Sequence, residues 1–384
     1  MKVGIVCYPT FGGSGVVATE LGIQLHNLGH EVHLICYDLP ARLGQHVDLL
    51  NVHLVDVVSY PLFRFPPYTL ALSSKIYHVC KEYELDLIHA HYAIPHSTSA
   101  IIAHDMLPED ERPAIVTTLH GTDIQLLGMD PAYREVTRYS IDRSHLITAV
   151  SKHLADLTRD AYNLQRDISV IPNFIDPIRF SPKQKSGIAH SHASPSSRMR
   201  SEPYLCHVSN MRAVKRVRDV ILIFARILRE VSCRLIVVGE GPDLDNMKRT
   251  ASELGVRHRV QFVRFQANIE DILARAALLL LPSSFESFGL TALEAMSCGT
   301  PVLAYQVGGL PEVVVDGHTG YLAALGDVDQ LAQRGIYLLT HHDHLLLLAS
   351  NCRKRATELF DIDQVLPLYL TAYDNALHHA RSNK

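Results

Sequence analysis

The feature that most constrains this chain is a repeated alternation of short apolar runs with amphipathic helical patterns. Strand-like runs fall at Val3–Cys7, Glu31–Cys36, Leu85–Ala90, Ala114–Leu119 and Leu146–Val150. A second series follows at Leu205–Val208, Leu235–Val238, Val260–Val263, Leu278–Leu281 and Pro301–Ala304. Such a rhythm is the pattern of βαβ units, whose parallel sheets are covered on both faces and therefore carry near-continuous apolar strands. Between the series lies Ser186–Glu202, polar and rich in Ser and His, with no apolar periodicity. The chain of 384 residues is also too long for one ordinary core, since domains cluster near ~100–200 residues. The expectation is an α/β protein of two doubly wound Rossmann-like domains facing each other across a cleft. They occupy residues 1–180 and 204–362, joined by a linker at 181–203, with a helical tail at 363–384 that crosses back to the first domain.

Composition narrows the function classes. A formal net charge of −4 gives no electrostatic basis for nucleic-acid binding. The longest apolar run, Ala276 to Pro282, is far below the ~20 residues of a membrane span. The amino terminus lacks the basic flank and the apolar core of about 7–15 residues that a signal peptide carries. Seven cysteines, an odd number without paired short spacings, fit a reducing compartment better than a disulfide framework. A cytoplasmic protein without nucleic-acid or membrane partners is expected, and a homo-oligomer remains open. His190 and His192, in the Ser/Pro-rich linker, have no convergent carboxylates and read as solvated side chains.

In open α/β sheets ligands sit beyond the carboxyl ends of the strands, so the residues there carry the chemistry. The first such stretch, Thr10-Phe11-Gly12-Gly13-Ser14-Gly15, lies between a strand and a helix. Its glycine spacing does not match the Gly-x-Gly-x-x-Gly of a dinucleotide fold, and Asp38 alone stands near the place of an acidic ribose ligand. In the second domain, Glu286 and Glu294 flank a helix start near Phe288, which Ser287 is placed to cap. The amides of Phe288, Gly289 and Leu290 with the helix dipole suit a phosphate, and an ionised Glu suits a vicinal diol. Alternatively, the two carboxylates merely favour the dipole and solvent. Asn210-Met211-Arg212-Ala213-Val214-Lys215-Arg216 follows the first strand of that domain, so Arg212 and Lys215 can meet a diphosphate, or else start a solvated helix. In the first domain, His89-Ala90-His91-Tyr92 and Thr117-Thr118-Leu119-His120-Gly121-Thr122-Asp123 close two strands. No Ser or Cys shows a nucleophile arrangement.

Together, Glu286-x7-Glu294, the Arg212/Lys215 pair, His120-Gly121-Thr122-Asp123 and the Gly12-Gly13-Ser14-Gly15 turn resemble the retaining glycosyltransferases of the two-Rossmann-domain, GT-B type, over nearly the whole chain. A narrower likeness lies in Cys7-Tyr8-Pro9, Tyr60-Pro61-Leu62-Phe63, Pro66-Pro67-Tyr68, His91-Tyr92-Ala93-Ile94-Pro95-His96 and Asn173-Phe174-Ile175-Asp176. It points to the malate-directed family of bacillithiol biosynthesis. That resemblance implies transfer of N-acetylglucosamine from UDP-GlcNAc to the hydroxyl of L-malate with retention. The other acceptors to weigh are an inositol phosphate or a lipid-linked glycan, and a non-catalytic sugar-nucleotide-binding protein is the reading outside enzymes.

By the same resemblance, Glu294 holds the ribose and Glu286 the donor sugar. Arg212 and Lys215, with the amides of Phe288, Gly289 and Leu290, take the diphosphate. Asn210 stands where an Arg is common, which leaves its share against Arg212 open. His120 faces the donor sugar, and Gly13, Ser14 and Gly15 let the first domain close on the donor phosphate. Ser14, Tyr92, Thr117, Thr118 and Arg138 are the candidates for malate, Arg138 being alternatively a surface residue. The cations replace a divalent metal, so neither metal nor cofactor is expected.

Overall fold

The computed structural model describes residues 1–10, 12–40, 42–44, 49–58, 62, 64–183, 202–264 and 269–382. Most of the expected linker, including His190 and His192, and most of the Tyr60–Phe63 stretch lie outside the described residues.

The chain divides into two compact units, Met1–Asn173 with Val365–Lys384, and Phe174–Gln364. Unit 1 runs β1 (Lys2–Val6), α1 (Gly13–Asn27), β2 (Glu31–Cys36), β3 (Asn51–Leu54), α2 (Tyr68–Tyr83), β4 (Leu87–His91), α3 (Thr98–Met106), β5 (Ala114–Leu119), α4 (Pro131–Arg143), β6 (Leu146–Ala149), α5 (Lys152–Tyr162) and β7 (Ser169–Val170). Its sheet has the order β3-β2-β1-β4-β5-β6-β7, and every pairing is parallel. Unit 2 runs β8 (Tyr204–Val208), α6 (Val217–Glu230), β9 (Arg234–Val238), α7 (Leu244–Glu253), β10 (Val260–Val263), α8 (Ile269–Arg275), β11 (Leu278–Leu281), α9 (Leu290–Ser297), β12 (Val302–Tyr305), α10 (Leu310–Val313), β13 (Gly320–Ala323), α11 (Val328–Thr340) and α12 (His342–Leu359). Its order is β10-β9-β8-β11-β12-β13, again parallel throughout. A last helix, α13 (Ile362–Ser382), begins in unit 2 and joins unit 1 from Val365.

Both sheets are built as the apolar runs predict. The four residues of β11 are fully buried leucines or nearly so, and β5 is buried along its whole length. α6 shows the complementary helical logic: Val217, Val220, Ile221, Phe224 and Ile227 fall on one stripe and are buried, while Arg218 and Arg229 are not. Against them pack Leu235 and Val237 of β9 and Leu331 and Leu338 of α11. Each fully buried Leu, Ile or Phe contributes roughly 1.5–3 kcal/mol. In unit 1, Ile76 and Val79 of α2 and Ala100 and Ala103 of α3 cover Val6, Ile35 and Ile88. Local chemistry sets the helix starts. The Asp130 side chain accepts from Ala132 N with Pro131 at the first position of α4, and Ser151 accepts from Leu154 N to open α5.

The unit boundary falls earlier than the expected 180. Residues 174–180 are fixed to unit 2: Phe180 O accepts from Ser297 Oγ at 2.7 Å and Arg353 Nη1 at 2.8 Å, and Ile175 N donates to Phe360 O. Similarly, the tail attaches from Val365, where Tyr373 places its hydroxyl 2.8 Å from His89 Nδ1. Three strands, β3, β7 and β13, are not predicted by the apolar pattern. Asn-Val-His-Leu and Ser-Val lack apolar runs, and Gly320-Tyr321 reads as a turn. Among the described residues no helix is long and apolar enough to cross a membrane.

Candidate active site

The strand order reverses between β8 and β11 in unit 2 and between β1 and β4 in unit 1. At such a switch point the turns after neighbouring strands diverge and leave a crevice for a ligand. The expected residues fall on these turns.

In unit 2, the turn after β8 is folded by its own strand. His207 is fully buried, with Nδ1 2.8 Å from Leu280 O and Nε2 2.8 Å from Ser209 Oγ. Burial pulls its pKa down to about 4, so the neutral ring donates at Nδ1 and accepts from the serine. The chain then passes Met211, whose φ of 30° is left-handed, into a single turn at Ala213–Lys215. Gly239 and Gly241 are required beside it. A Cβ at Gly239 would stand 1.9 Å from Ser209 O, and one at Gly241 2.3 Å from Asn210 O. The β11 turn is tied to the same place, because Ser284 N donates to Val214 O at 2.8 Å.

This brings Lys215 against Glu286. Nζ lies 2.7 Å from Oε1, with both side chains largely enclosed. Gly309 N donates to Glu286 O at 2.8 Å, and a Cβ at Gly308 would fall 2.0 Å from that oxygen, so the β12 turn packs directly on the Glu286 backbone. Arg212 is exposed. With its amide oxygen turned to the guanidinium, Asn210 accepts from Arg212 Nε and Nη2, each at 3.2 Å. In this orientation the Asn210 amide orients the Arg212 guanidinium. Arg216 is occupied elsewhere, with Nε 2.6 Å from Asp219 Oδ2, which also accepts from Tyr305 Oη at 2.8 Å.

The helix after Glu286 starts later than expected. α9 begins at Leu290, and its cap is Gly289 at φ 98°. A left-handed cap is cheap only for glycine, and Leu310 Cδ1 would lie 2.5 Å from a Cβ there. Phe288 is buried, ring to ring with Phe360 at 5.7 Å. Glu294 is 4% exposed, which removes the solvated reading for it.

In unit 1, α1 starts at Gly13 after Gly12, with Gly15 N and Val16 N both donating to Gly12 O. A Cβ at Gly15 would come within 2.4 Å of Tyr8 O. The open first turn leaves the amides of Gly13 and Ser14 outside the helical ladder. Ser14 Oγ donates to Tyr92 Oη at 2.9 Å, joining the β1 and β4 turns. Tyr92 has φ 91° and ψ 136°, and its ring lies 5.1 Å from that of His120, 5.6 Å from Tyr8 and 6.1 Å from His96. His120 places Nε2 2.9 Å from His91 Nδ1. Burial, with the charge of His96 adding to it, pulls the His120 pKa down to about 3, so the ring is neutral at physiological pH.

Two expected acceptor residues belong to the core. Thr117 and Thr118 are fully buried because β5 is covered on both faces. Thr117 Oγ1 bonds Ser97 Oγ at 2.8 Å and Ser144 Oγ at 2.7 Å; Thr118 Oγ1 bonds His89 Nε2 and Thr148 Oγ1, each at 2.6 Å. Their hydroxyls are consumed inside the unit. Arg138 sits on α4 with its side chain half exposed and Nε 3.6 Å from Asp142 Oδ2, one turn on. Sequence reasoning gave no role to His91, His96 or His207. All three are fully buried, and His91 Nε2 and His96 Nε2 have no protein partner among the described residues.

Two doubly wound Rossmann-like sheets, each with its switch point, make the fold of a GT-B glycosyltransferase. The comparisons agree: glycosyl transferases group 1 match residues 193–358 and glycosyltransferase family 4 matches residues 11–179. The N-acetyl-alpha-D-glucosaminyl L-malate synthase of Bacillus anthracis is 41% identical over 384 residues, 100% of this chain and 99% of its own. The chain belongs to this glycosyltransferase family. A D-inositol 3-phosphate glycosyltransferase of Nocardia farcinica is 30% identical over 67% of this chain and 62% of its own. In fold, the Anabaena protein HepE, solved with UDP and glucose, has a TM-score of 0.77 at 22% identity, covering 97% of this chain and 99% of that one.

Proposed function

We propose that the protein transfers N-acetylglucosamine from UDP-GlcNAc to the hydroxyl of L-malate with the α configuration retained, the reaction that opens bacillithiol biosynthesis. The observation that carries this reading is the end-to-end likeness, at 41% identity, to the N-acetyl-alpha-D-glucosaminyl L-malate synthase of Bacillus anthracis. The unit 2 turns supply the chemistry for the donor. Lys215 and the Asn210-oriented Arg212 meet the diphosphate, with the amides beside Gly289, while Glu286 and Glu294 accept hydroxyl protons of sugar and ribose. Unit 1 serves the acceptor, through Ser14 and Tyr92, with Arg138 as the candidate cation for a carboxylate.

In the reaction the bond from the anomeric carbon to the β-phosphate oxygen breaks, and the malate oxygen bonds the same face of that carbon. The malate proton passes to the departing phosphate oxygen, and UDP leaves. No covalent enzyme intermediate and no general base are required, so the rate comes from positioning and from charge stabilisation on the leaving diphosphate. His120 is neutral and contributes as a hydrogen-bonding group near the donor sugar. The side chains that meet the diphosphate are cations, so the reaction proceeds without a divalent metal or other cofactor.

The test is the product of purified protein with UDP-GlcNAc and L-malate. An α-linked N-acetylglucosaminyl malate identified by NMR is expected; a β-linked product, or UDP release without a glycoside, contradicts the reading.

A further inference from the structure

Unit 1 contains a carboxylate that the transfer chemistry above does not use. Asp123 is completely buried, and among the described residues no Lys, Arg or His forms an ion pair with it. It is held by backbone amides alone: Oδ1 accepts from Gly121 N at 2.9 Å and His120 N at 3.3 Å, and Oδ2 accepts from Ala93 N at 2.9 Å. The first two bonds are local, of the kind by which an Asp closes its own turn. The third is not, since it reaches 30 residues back to the turn after β4. A buried charge without a counter-ion opposes folding, so local turn closure, which a neutral side chain could perform, does not account for it.

What the long-range bond fixes is specific. Ala93 directly follows Tyr92, whose φ of 91° is left-handed and strained for a tyrosine. Tyr92 N donates to Thr118 O at 2.9 Å, and the next amide is the one Asp123 accepts. The strained residue is therefore pinned on both sides. On the other turn, Asp123 holds the amides of His120 and of Gly121, itself at φ 101°. One carboxylate thus joins the backbone that presents Tyr92 to the backbone that presents His120, whose rings stand 5.1 Å apart.

We propose that Asp123 is a positioning residue for transfer, a clamp that keeps Tyr92 and His120 in one fixed relation across the acceptor-side turns. It rests on the reading that these two side chains serve the substrates. Asp123→Asn keeps shape and volume but opposes an NH2 to an amide N–H. In that variant kcat/KM for L-malate falls at least tenfold, while the affinity for UDP, which lacks the sugar that His120 faces, stays within twofold of the wild type. If the clamp acts through Tyr92, the loss is not additive, and in a Tyr92→Phe background Asp123→Asn costs several-fold less than in the wild type. Undiminished kcat/KM for malate in Asp123→Asn, or strictly additive losses, overturns the proposal. Should the variant not fold, hydrogen exchange on the unaltered protein decides. Ala93 N–H exchanging as slowly as Gly121 N–H supports the clamp, and exchange at the rate of an exposed amide overturns it. A wild-type protein that does not use L-malate removes the acceptor reading instead, and the exchange measurement still decides the clamp.

Discussion

Lys215 Nζ lies 2.7 Å from Glu286 Oε1, and these partners stand 71 residues apart on turns that follow β8 and β11. The cation proposed for the diphosphate and the carboxylate proposed for the sugar are thus paired with each other. With 20% and 12% of their side-chain surfaces exposed, neither could stand there alone cheaply, because a partly buried charge without a partner costs several kcal/mol. On the proposed reading the pair holds both side chains in place before substrate arrives, and Lys215 gains a second anion when the donor binds.

Lys215→Ala should therefore damage both rate and fold. We expect kcat/KM to fall on the order of 10²-fold, about 3 kcal/mol of transition-state stabilisation, together with a lower Tm from the unpaired Glu286. Glu286→Gln, which keeps a hydrogen-bonding oxygen for Lys215, should lower Tm less than Lys215→Ala does. Steady-state kinetics and thermal melts read both effects; a Lys215→Ala loss below about threefold would place Lys215 outside the donor site.

Thr117→Val separates core from site. Its hydroxyl bonds Ser97 and Ser144 inside unit 1, so the substitution should reduce stability by about 1–3 kcal/mol and leave kcat/KM for malate within about threefold. A large kinetic loss at temperatures well below the melt would restore Thr117 to the acceptor site.

Why Thr117 misled at sequence level is physical. A strand end shows residue types but not which face is covered, and β5 is covered on both. The glycine turn, the Glu286/Glu294 spacing and the positions of ten strands were legible because each is a local pattern. Asp123 lay in plain sight within His120-Gly121-Thr122-Asp123, and its local bonds could have been anticipated from its place in the turn. Its bond to Ala93 could not, since that contact exists only once β4 and β5 are neighbours. The same holds for Asn210, which reads as a missing arginine and becomes the group that orients Arg212. The short strands β3, β7 and β13 escaped because sheet pairing makes them strands, and their sequences carry little periodicity.

Asp123 also predicts opposite pH responses of stability and activity. Burial pushes its pKa up to about 6 from an ordinary value near 3.8, despite its amide hydrogen bonds. The folded chain then binds this proton more readily than the unfolded one. Its contribution to stability is fully present below about pH 4 and is lost as pH rises through 6, with a slope of at most about 1.4 kcal/mol per pH unit between those values. Activity should run the other way, because a protonated carboxyl turns a donor against one of three amides. We expect turnover to fall below pH 6 and the Asp123→Asn variant to lose both this acid limb and the pH 4–6 slope in stability. An unchanged acid limb in that variant would assign it to another group.

Chelation tests the charge assignment at the leaving group. With Lys215 and Arg212 meeting the diphosphate, turnover in excess EDTA should equal that in magnesium within about twofold. Loss of activity on chelation, restored by magnesium or manganese, would mean that a metal shares the task.

The acceptor is tested by UDP release measured side by side with L-malate, D-malate, lactate and inositol phosphate. A site that hydrogen-bonds both carboxylates leaves buried donors unpaired when one is missing, at about 1–3 kcal/mol each. L-malate is expected to be the best substrate, with kcat/KM for lactate at least tenfold lower. Equal use of lactate and L-malate, or a clear preference for inositol phosphate, would contradict it.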